Sequence, residues 1–95
     1  MTDSEAIAAG EAIVSREIGG ELVLLDLAGG FYFGLNAVGA AIWQRLEEGP
    51  ATIAQLTEEV VQAFEVNAET ARADIVDLIA RMQDQGLVST QSDAA

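Results

Sequence analysis

Residues 19–36, GGELVLLDLAGGFYFGLN, determine the fold that this sequence predicts. Each of two apolar runs, Glu21 to Asp26 and Phe31 to Leu35, directly follows a Gly-Gly pair. Such pairs favour tight turns, and the first one also ends the β-branched run Ala12 to Ile18. The segment therefore predicts a three-stranded antiparallel meander in which Phe31 to Leu35 is the third strand.

The spacing of apolar residues changes from two to about 3.6 after this segment, which indicates helices. Asn36 is suited to cap a first helix, which Gly49-Pro50 must end. Thr52 and Asn67 are suited to cap a second and a third helix. The predicted fold class is α+β: a three-stranded antiparallel β-sheet followed by three helices, arranged like a winged helix-turn-helix.

The length of 95 residues predicts a single domain. Residues 1–10 and 89–95 are small, polar and aperiodic, so we expect flexible, frayed termini around a domain at residues 11–88. Gly86 is placed to follow the third helix. After it, Leu87 and Val88 either add a short final strand or close the core.

The composition excludes most kinds of chemistry. The chain has 16 acidic and 4 basic residues, a net charge of −12, and contains no Cys and no His. Without these side chains there is no thiolate nucleophile, no Ser-His pair and no ordinary zinc site, so we expect no enzyme, no metal and no cofactor. Acidic Asp3 and Glu5 near the start, and the lack of a long apolar stretch, predict a soluble cytoplasmic protein without membrane association.

Two motifs are better explained by ordinary structure than by a site. Gly29 and Gly34 have the glycine spacing of a phosphate-binding loop, but Leu35 and Asn36 stand where that loop needs Lys and Ser or Thr. Carboxylate pairs such as Glu58-Glu59 lie on one helix and point in different directions, so they predict a solvated surface.

A winged helix-turn-helix would make the third helix the DNA-reading element. That helix carries Glu69, Asp74, Asp77 and Asp84 but only two arginines, Arg72 and Arg81. Such a surface is repelled by DNA phosphates, so we expect no nucleic-acid binding.

The third predicted strand has an unusual edge. Edge strands usually carry a charge or a proline that prevents pairing with another chain, and Phe31 to Leu35 contains neither. Either the protein's own chain covers this edge, with Leu87-Val88 as the candidate, or the edge is open to an extended peptide. Val76 is a second feature that is consistent with a peptide-binding groove. It lies off the apolar stripe of the third helix and could line a groove beside that strand.

The chain resembles the PqqD-like proteins from about Ile13 to Val88. The resemblance rests on the segments 20–26 (GELVLLD), 33–36 (FGLN), 39–46 (GAAIWQRL) with Gly49, 52–56 (TIAQL), Phe64, and 78–79 with 86–88. It implies a recognition element for the leader of a ribosomally made, post-translationally modified peptide, as in lasso-peptide and quinone-cofactor pathways. The implied fold has three strands packed on three helices.

The resemblance also implies the site and its partners. The leader docks as an added antiparallel strand on the third strand and packs against the third helix, and the domain has no chemistry of its own. The implied peptide-binding residues are Phe31, Tyr32, Phe33, Gly34, Arg72, Ile75, Val76 and Ile79. A leader protease, cyclase or radical SAM enzyme would receive the precursor. The alternative function is an acidic winged-helix structural or regulatory subunit that has no peptide groove.

Overall fold

The computed structural model describes residues 5–91, which form two antiparallel sheets and three helices. In chain order the elements are β1 (Ala6–Ala9), β2 (Ile13–Ile18), β3 (Glu21–Asp26), β4 (Phe31–Leu35), α1 (Ala37–Glu48), β5 (Ala51–Thr52), α2 (Ile53–Ala63), α3 (Ala68–Asp84) and β6 (Val88–Gln91). One sheet has the order β2-β3-β4 and the other the order β5-β1-β6. The predicted α+β class is confirmed, and the predicted third strand is β4.

A two-residue turn sets the register of the first sheet. Gly19 and Gly20 have φ values of 61° and 86°, and a type I′ hairpin turn requires this pair of positive angles. Ile18 consequently pairs with Glu21, and β2 and β3 remain antiparallel along their whole length. The predicted hairpin is confirmed.

Asp26 organises the turn between β3 and β4. Its carboxylate accepts backbone N–H bonds from Ala28 at 3.0 Å and Gly29 at 2.9 Å. Its carbonyl accepts a bond from Gly30 at 2.8 Å, where a φ of 74° favours glycine. Phe31 is thereby placed opposite Asp26 and begins β4.

The three predicted helix N-caps are confirmed. The side chains of Asn36, Thr52 and Asn67 each accept a hydrogen bond from the backbone N–H three residues later. Thr52 forms a complete capping box, because the Gln55 side chain in turn accepts from the Thr52 N–H at 2.9 Å. Gly86 follows α3 with a φ of 76°, as the sequence predicts.

The second sheet corrects the prediction of frayed termini. Ala6–Ala9 forms β1 and Val88–Gln91 forms β6, and these two strands pair antiparallel along four residues. Strand β1 also pairs with the short β5. The prediction is therefore wrong for these two segments. Residues 1–4 and 92–95 lie outside the described part of the chain, and the domain limits of 11 and 88 stay a prediction.

The second sheet was missed because its sequence signal is weak. Strand β1 buries a single large side chain, Ile7, and its partner β6 follows about 80 residues later in the chain. The backbone N–H of Gly10 donates to the Leu87 carbonyl at 2.8 Å, which holds the same two segments together beyond β1. Val88 begins a final strand, one of the two predicted alternatives, but that strand pairs with β1 and not with β4.

The core lies where the three helices meet the two sheets. Its largest fully buried side chains are Trp43, Ile7, Leu24, Ile42, Ile53, Leu56, Ile75, Ile79, Met82 and Leu87. The core therefore takes residues from the first and last strands as well as from the predicted meander and helices. None of the helices described for residues 5–91 has the length and hydropathy that crossing a membrane requires.

Replacing Ile7 with alanine tests whether β1 belongs to the folded core. Because Ile7 is 0% exposed, we expect Ile7→Ala to lower the free energy of unfolding by about 2 to 5 kcal/mol in urea denaturation. The control is Ile18→Ala, the same chemical change at a residue that is 60% exposed, which should cost less than about 1 kcal/mol. Equal effects of the two changes would contradict the assignment.

Candidate functional site

A groove of about 480 Å³ lies between the end of β4, the start of α1 and one flank of α3. Its volume falls in the range of about 300 to 1,000 Å³ that is typical of ligand-binding sites. Its lining residues are Phe33, Gly34, Leu35, Asn36, Val38, Gly39, Ile42, Asp74, Ile75, Asp77, Leu78 and Arg81. Buried Leu35, Ile42 and Ile75 make the floor apolar, and the charged residues of α3 form a polar rim.

Strand β4 forms one edge of its sheet, directly beside this groove. Its inner neighbour is β3, and within residues 5–91 no strand pairs with its outer side. The segment that the sequence offered as a cover, Leu87-Val88, lies in the other half of the fold beside β1. Of the two alternatives for this edge, the described residues thus show the open one.

The register of the sheet determines which backbone groups of β4 face outward. The two-residue turn makes Ile18 and Glu21 a hydrogen-bonded pair, and such pairs alternate along an antiparallel ladder. Successive residues of β3 direct their backbone groups alternately toward β2 and toward β4. The residues of β3 that do not bond to β2 therefore bond to β4, and this places the backbone N–H and C=O of Phe33 toward β3. The corresponding groups of Tyr32 and Gly34 point to the open edge, where they are free to pair with an added strand.

The side chains of β4 alternate between the two faces of the sheet. Phe31 and Phe33 are half-buried and pack against the core, and Leu35 is buried. Tyr32 points the other way and is 75% exposed. Gly34 is also exposed, and a Cβ built on it would meet no atom within 4 Å. The predicted strand residues therefore contribute in different ways: Phe33 and Gly34 line the groove, and Tyr32 contributes to the edge.

Of the predicted residues on α3, only Ile75 lines the groove. At about 100° per residue, Leu78, Asp74 and Arg81 lie on one side of Ile75, while Val76 and Arg72 lie on the other. Ile79, also predicted, is fully buried in the core. The sequence indicated an apolar residue beside the buried stripe of α3, but the flank that faces β4 is the one with Leu78.

Sequence reasoning missed the contribution of α1 and of Leu78. Val38 and Ile42 of α1 line the groove because Asn36 begins this helix immediately after β4. Leu78 lies at the edge of the apolar stripe of α3, where it is half-buried and packs against the core. Its position at the edge of the apolar stripe is the sequence signal that could have identified it.

The charged rim is partly neutralised within α3. Arg81 Nε lies 3.3 Å from a carboxylate oxygen of Asp77, an exposed pair four residues apart. Asp74 adds a second carboxylate to the lining. Exposed ion pairs of this kind stabilise a helix by about 0.3 to 0.5 kcal/mol. Because this is little, the side chains of the rim can rearrange, and the apolar floor is the more rigid part of the groove.

A second, more open depression of about 430 Å³ lies along α1 and α2. There Arg45 Nε lies 3.1 Å from Glu59, and Arg45 Nη1 donates to the Gly49 carbonyl at 3.1 Å. Its main cation is thus engaged within the chain. In the part of the chain that the structure describes, no group of three or more His, Cys, Asp or Glu residues could hold a metal ion. The first groove, which lies beside an open strand edge, is therefore the candidate site for an extended chain.

Comparisons with known proteins identify a family and two similar solved structures. A family model described as coenzyme PQQ synthesis protein D (PqqD) matches residues 21–88. The structure of TbiB1 in complex with the TbiA(beta) leader peptide is 34% identical, has a TM-score of 0.78, and the match covers 90% of this chain and 99% of that one. The structure of a lasso peptide synthetase B1 complexed with the leader peptide is 28% identical with a TM-score of 0.75, and the match covers 87% and 96% of the two chains. A search of curated proteins found no match.

Amide hydrogen exchange tests the assignment of the backbone groups. In the isolated chain we expect the Phe33 amide to exchange slowly, because it is bonded to β3. The amides of Tyr32 and Gly34 should exchange at rates close to those of an unstructured peptide, as measured by NMR. The reverse pattern, with Phe33 fast and its two neighbours slow, would show that the ladder has the other alternation.

Proposed function

Since this chain belongs to the family of coenzyme PQQ synthesis protein D (PqqD), we propose that it binds the leader segment of a ribosomally made precursor peptide. The main support is the juxtaposition of an open strand edge and a groove with an apolar floor and a polar rim, the two features that strand addition requires. The solved relatives support the same proposal, because the similar TbiB1 structure contains a leader peptide.

In the proposed complex the leader forms a fourth strand beside β4. Its backbone pairs with the outward groups of Tyr32 and Gly34, which sets its register. Every second leader side chain then points into the groove and contacts Phe33, Ile75 and Leu78. Backbone pairing supplies affinity for any extended segment, and the groove selects for apolar side chains at alternate positions.

The proposed role is one of delivery and not of catalysis. The chain has no Cys, His or Lys to act on a peptide bond, and its groove offers contacts of shape and hydrogen bonding. A separate leader protease, cyclase or radical SAM enzyme would act on the bound precursor, in the cytoplasm where the precursor is made. The alternative, a winged-helix interaction subunit without a peptide groove, is disfavoured by the groove beside β4.

Substitution of Gly34 tests strand addition with little disturbance of the fold. In the deduced register Gly34→Pro removes an N–H that β3 does not use, and the matched Gly34→Ala retains it in a position with free space for a Cβ. We expect the proline to weaken leader binding by about 1 to 3 kcal/mol, roughly 5- to 150-fold, because a leader carbonyl loses its donor. The measurement is fluorescence anisotropy with the leader of the precursor encoded beside this chain's gene.

The alanine variant should bind the leader as the unmodified protein does, and circular dichroism should show both variants folded. If a folded Gly34→Pro binds as tightly as Gly34→Ala, the leader does not pair with β4 at this residue.

Substitution of Leu78 tests the groove separately from the edge. Leu78→Asp places a charge where we expect an apolar leader side chain, which should weaken binding by about 2 kcal/mol, or about thirtyfold. The control is Ala80→Asp, the same introduced charge on the exposed face of the same helix. Thermal melts establish that both variants fold. Unchanged affinity in a folded Leu78→Asp protein would remove α3 from the binding site.

A further inference from the structure

The outer face of the sheet β2-β3-β4 is unusually apolar. The side chains opposite those that enter the core form two cross-strand rows, Val14–Leu25–Tyr32 and Arg16–Val23–Gly34, followed by Ile18 and Glu21. An antiparallel sheet with one solvated face normally carries polar residues there. This face instead carries five apolar side chains, of which Tyr32 is 75% and Ile18 is 60% exposed.

The side chains of the outer face do not pack against the core. The half-buried residues that pack against it come from the opposite face of this sheet, including Ile13, Leu22 and Phe33. Val14, Val23 and Leu25, which lie on the outer face, are half-buried but are not among the residues that pack against the core. An apolar, nearly neutral patch on a chain of net charge −12 indicates a protein contact surface.

We propose that this outer face docks the enzyme that processes the bound peptide, an inference that rests on the proposed function. The argument is continuity: Tyr32 and Gly34 belong both to the outer face and to the open edge. A leader strand added to β4 extends the outer face with its own alternate side chains. An enzyme docked on this face therefore touches the leader directly and binds better when the leader is present.

Charge and area argue against a second copy of this chain as the occupant. Two chains of charge −12 repel each other when they approach. Three strands of up to six residues present roughly 14 Å by 20 Å, or about 300 Å², whereas stable interfaces bury about 800 Å² on each side. A leader strand added to β4 would widen the outer face by about a third. The small area therefore favours a transient contact with the enzyme, which becomes stronger when the leader is bound.

The same features describe the docking surface of the enzyme. It should present an apolar patch to Val23 and Leu25, with a polar or acidic group opposite Arg16, the one cation of this face. Around that patch, neutral or basic residues would suit the acidic remainder of this chain. Anionic membranes lack such a surface and would be repelled.

Substitution of Val23 tests the proposal while leaving the groove unaltered. Val23→Glu places a carboxylate opposite Arg16, a pairing that the sheet tolerates. The matched control is Ala80→Glu on the exposed face of α3, and Val23→Thr, which keeps the branched shape, decides the question if the glutamate variant does not fold. The probes are the purified leader protease encoded beside this chain's gene and the fluorescent leader of the same precursor.

We expect all variants to bind the leader within twofold of the unmodified protein. Binding of the protease, measured by biolayer interferometry at saturating leader, should weaken at least tenfold in Val23→Glu and severalfold in Val23→Thr, and should be unchanged in Ala80→Glu. The unmodified protein should bind the protease more tightly with leader than without it.

The outcomes separate this inference from the proposed function. A folded Val23→Glu that binds the protease normally overturns the docking surface alone, provided that the leader still binds. A dimer in light scattering that Val23→Glu dissociates, or binding to phosphatidylserine vesicles that it abolishes, overturns the docking surface in favour of that other occupant. If the unmodified protein does not bind the leader, the proposed function itself fails.

Discussion

The pairing register between β3 and β4 is the constraint on which the rest of the structure depends. It brings Leu24 opposite Phe33 and directs both toward the core, where Leu24 is fully buried. A shift by one residue would turn every side chain of β4 to the other face of the sheet. Among the strands formed by residues 5–91, none pairs with the outward backbone groups of Tyr32 and Gly34, which the same register places at the edge. Core packing and the open edge are therefore two consequences of one alignment.

The floor of the groove is also part of the core. Ile75 is fully buried in the core and also lines the groove, as does Ile42 of α1. In a domain of this size a loss of either side chain removes a substantial part of the buried apolar surface. The rim residues Asp74, Asp77 and Arg81 are exposed and carry no such constraint. The rim is thus the part of the groove in which side chains can change without loss of the fold.

The acidic composition has a physical role beside these apolar surfaces. A chain that exposes a strand edge, a groove and an apolar sheet face is prone to self-association. A net charge of −12 opposes the approach of a second copy, although β4 itself carries no charged residue. The edge can therefore stay uncharged and open for an extended peptide of another sequence.

The sequence by itself determined the local features of this protein, because these depend on neighbouring residues. The Gly19-Gly20 turn, the strand Phe31 to Leu35 and the caps Asn36, Thr52 and Asn67 were all predictable from turn chemistry and capping rules. The absence of Cys, His and Lys is likewise a property of the sequence alone. The resemblance to PqqD-like proteins indicated β4 as the docking strand.

Only the tertiary structure decided which surfaces these elements present to one another. The pairing of β1 with β6 joins segments about 80 residues apart by backbone pairing, and β1 buries one large side chain, Ile7, which is too little to leave a periodic pattern in the sequence. The flank of α3 that faces β4 was likewise undetermined, because a helix has two sides beside its buried stripe and the packing of the sheet selects one. Leu78 faces the groove and Val76 does not because the position of β4 is set by the whole core and not by the sequence of α3.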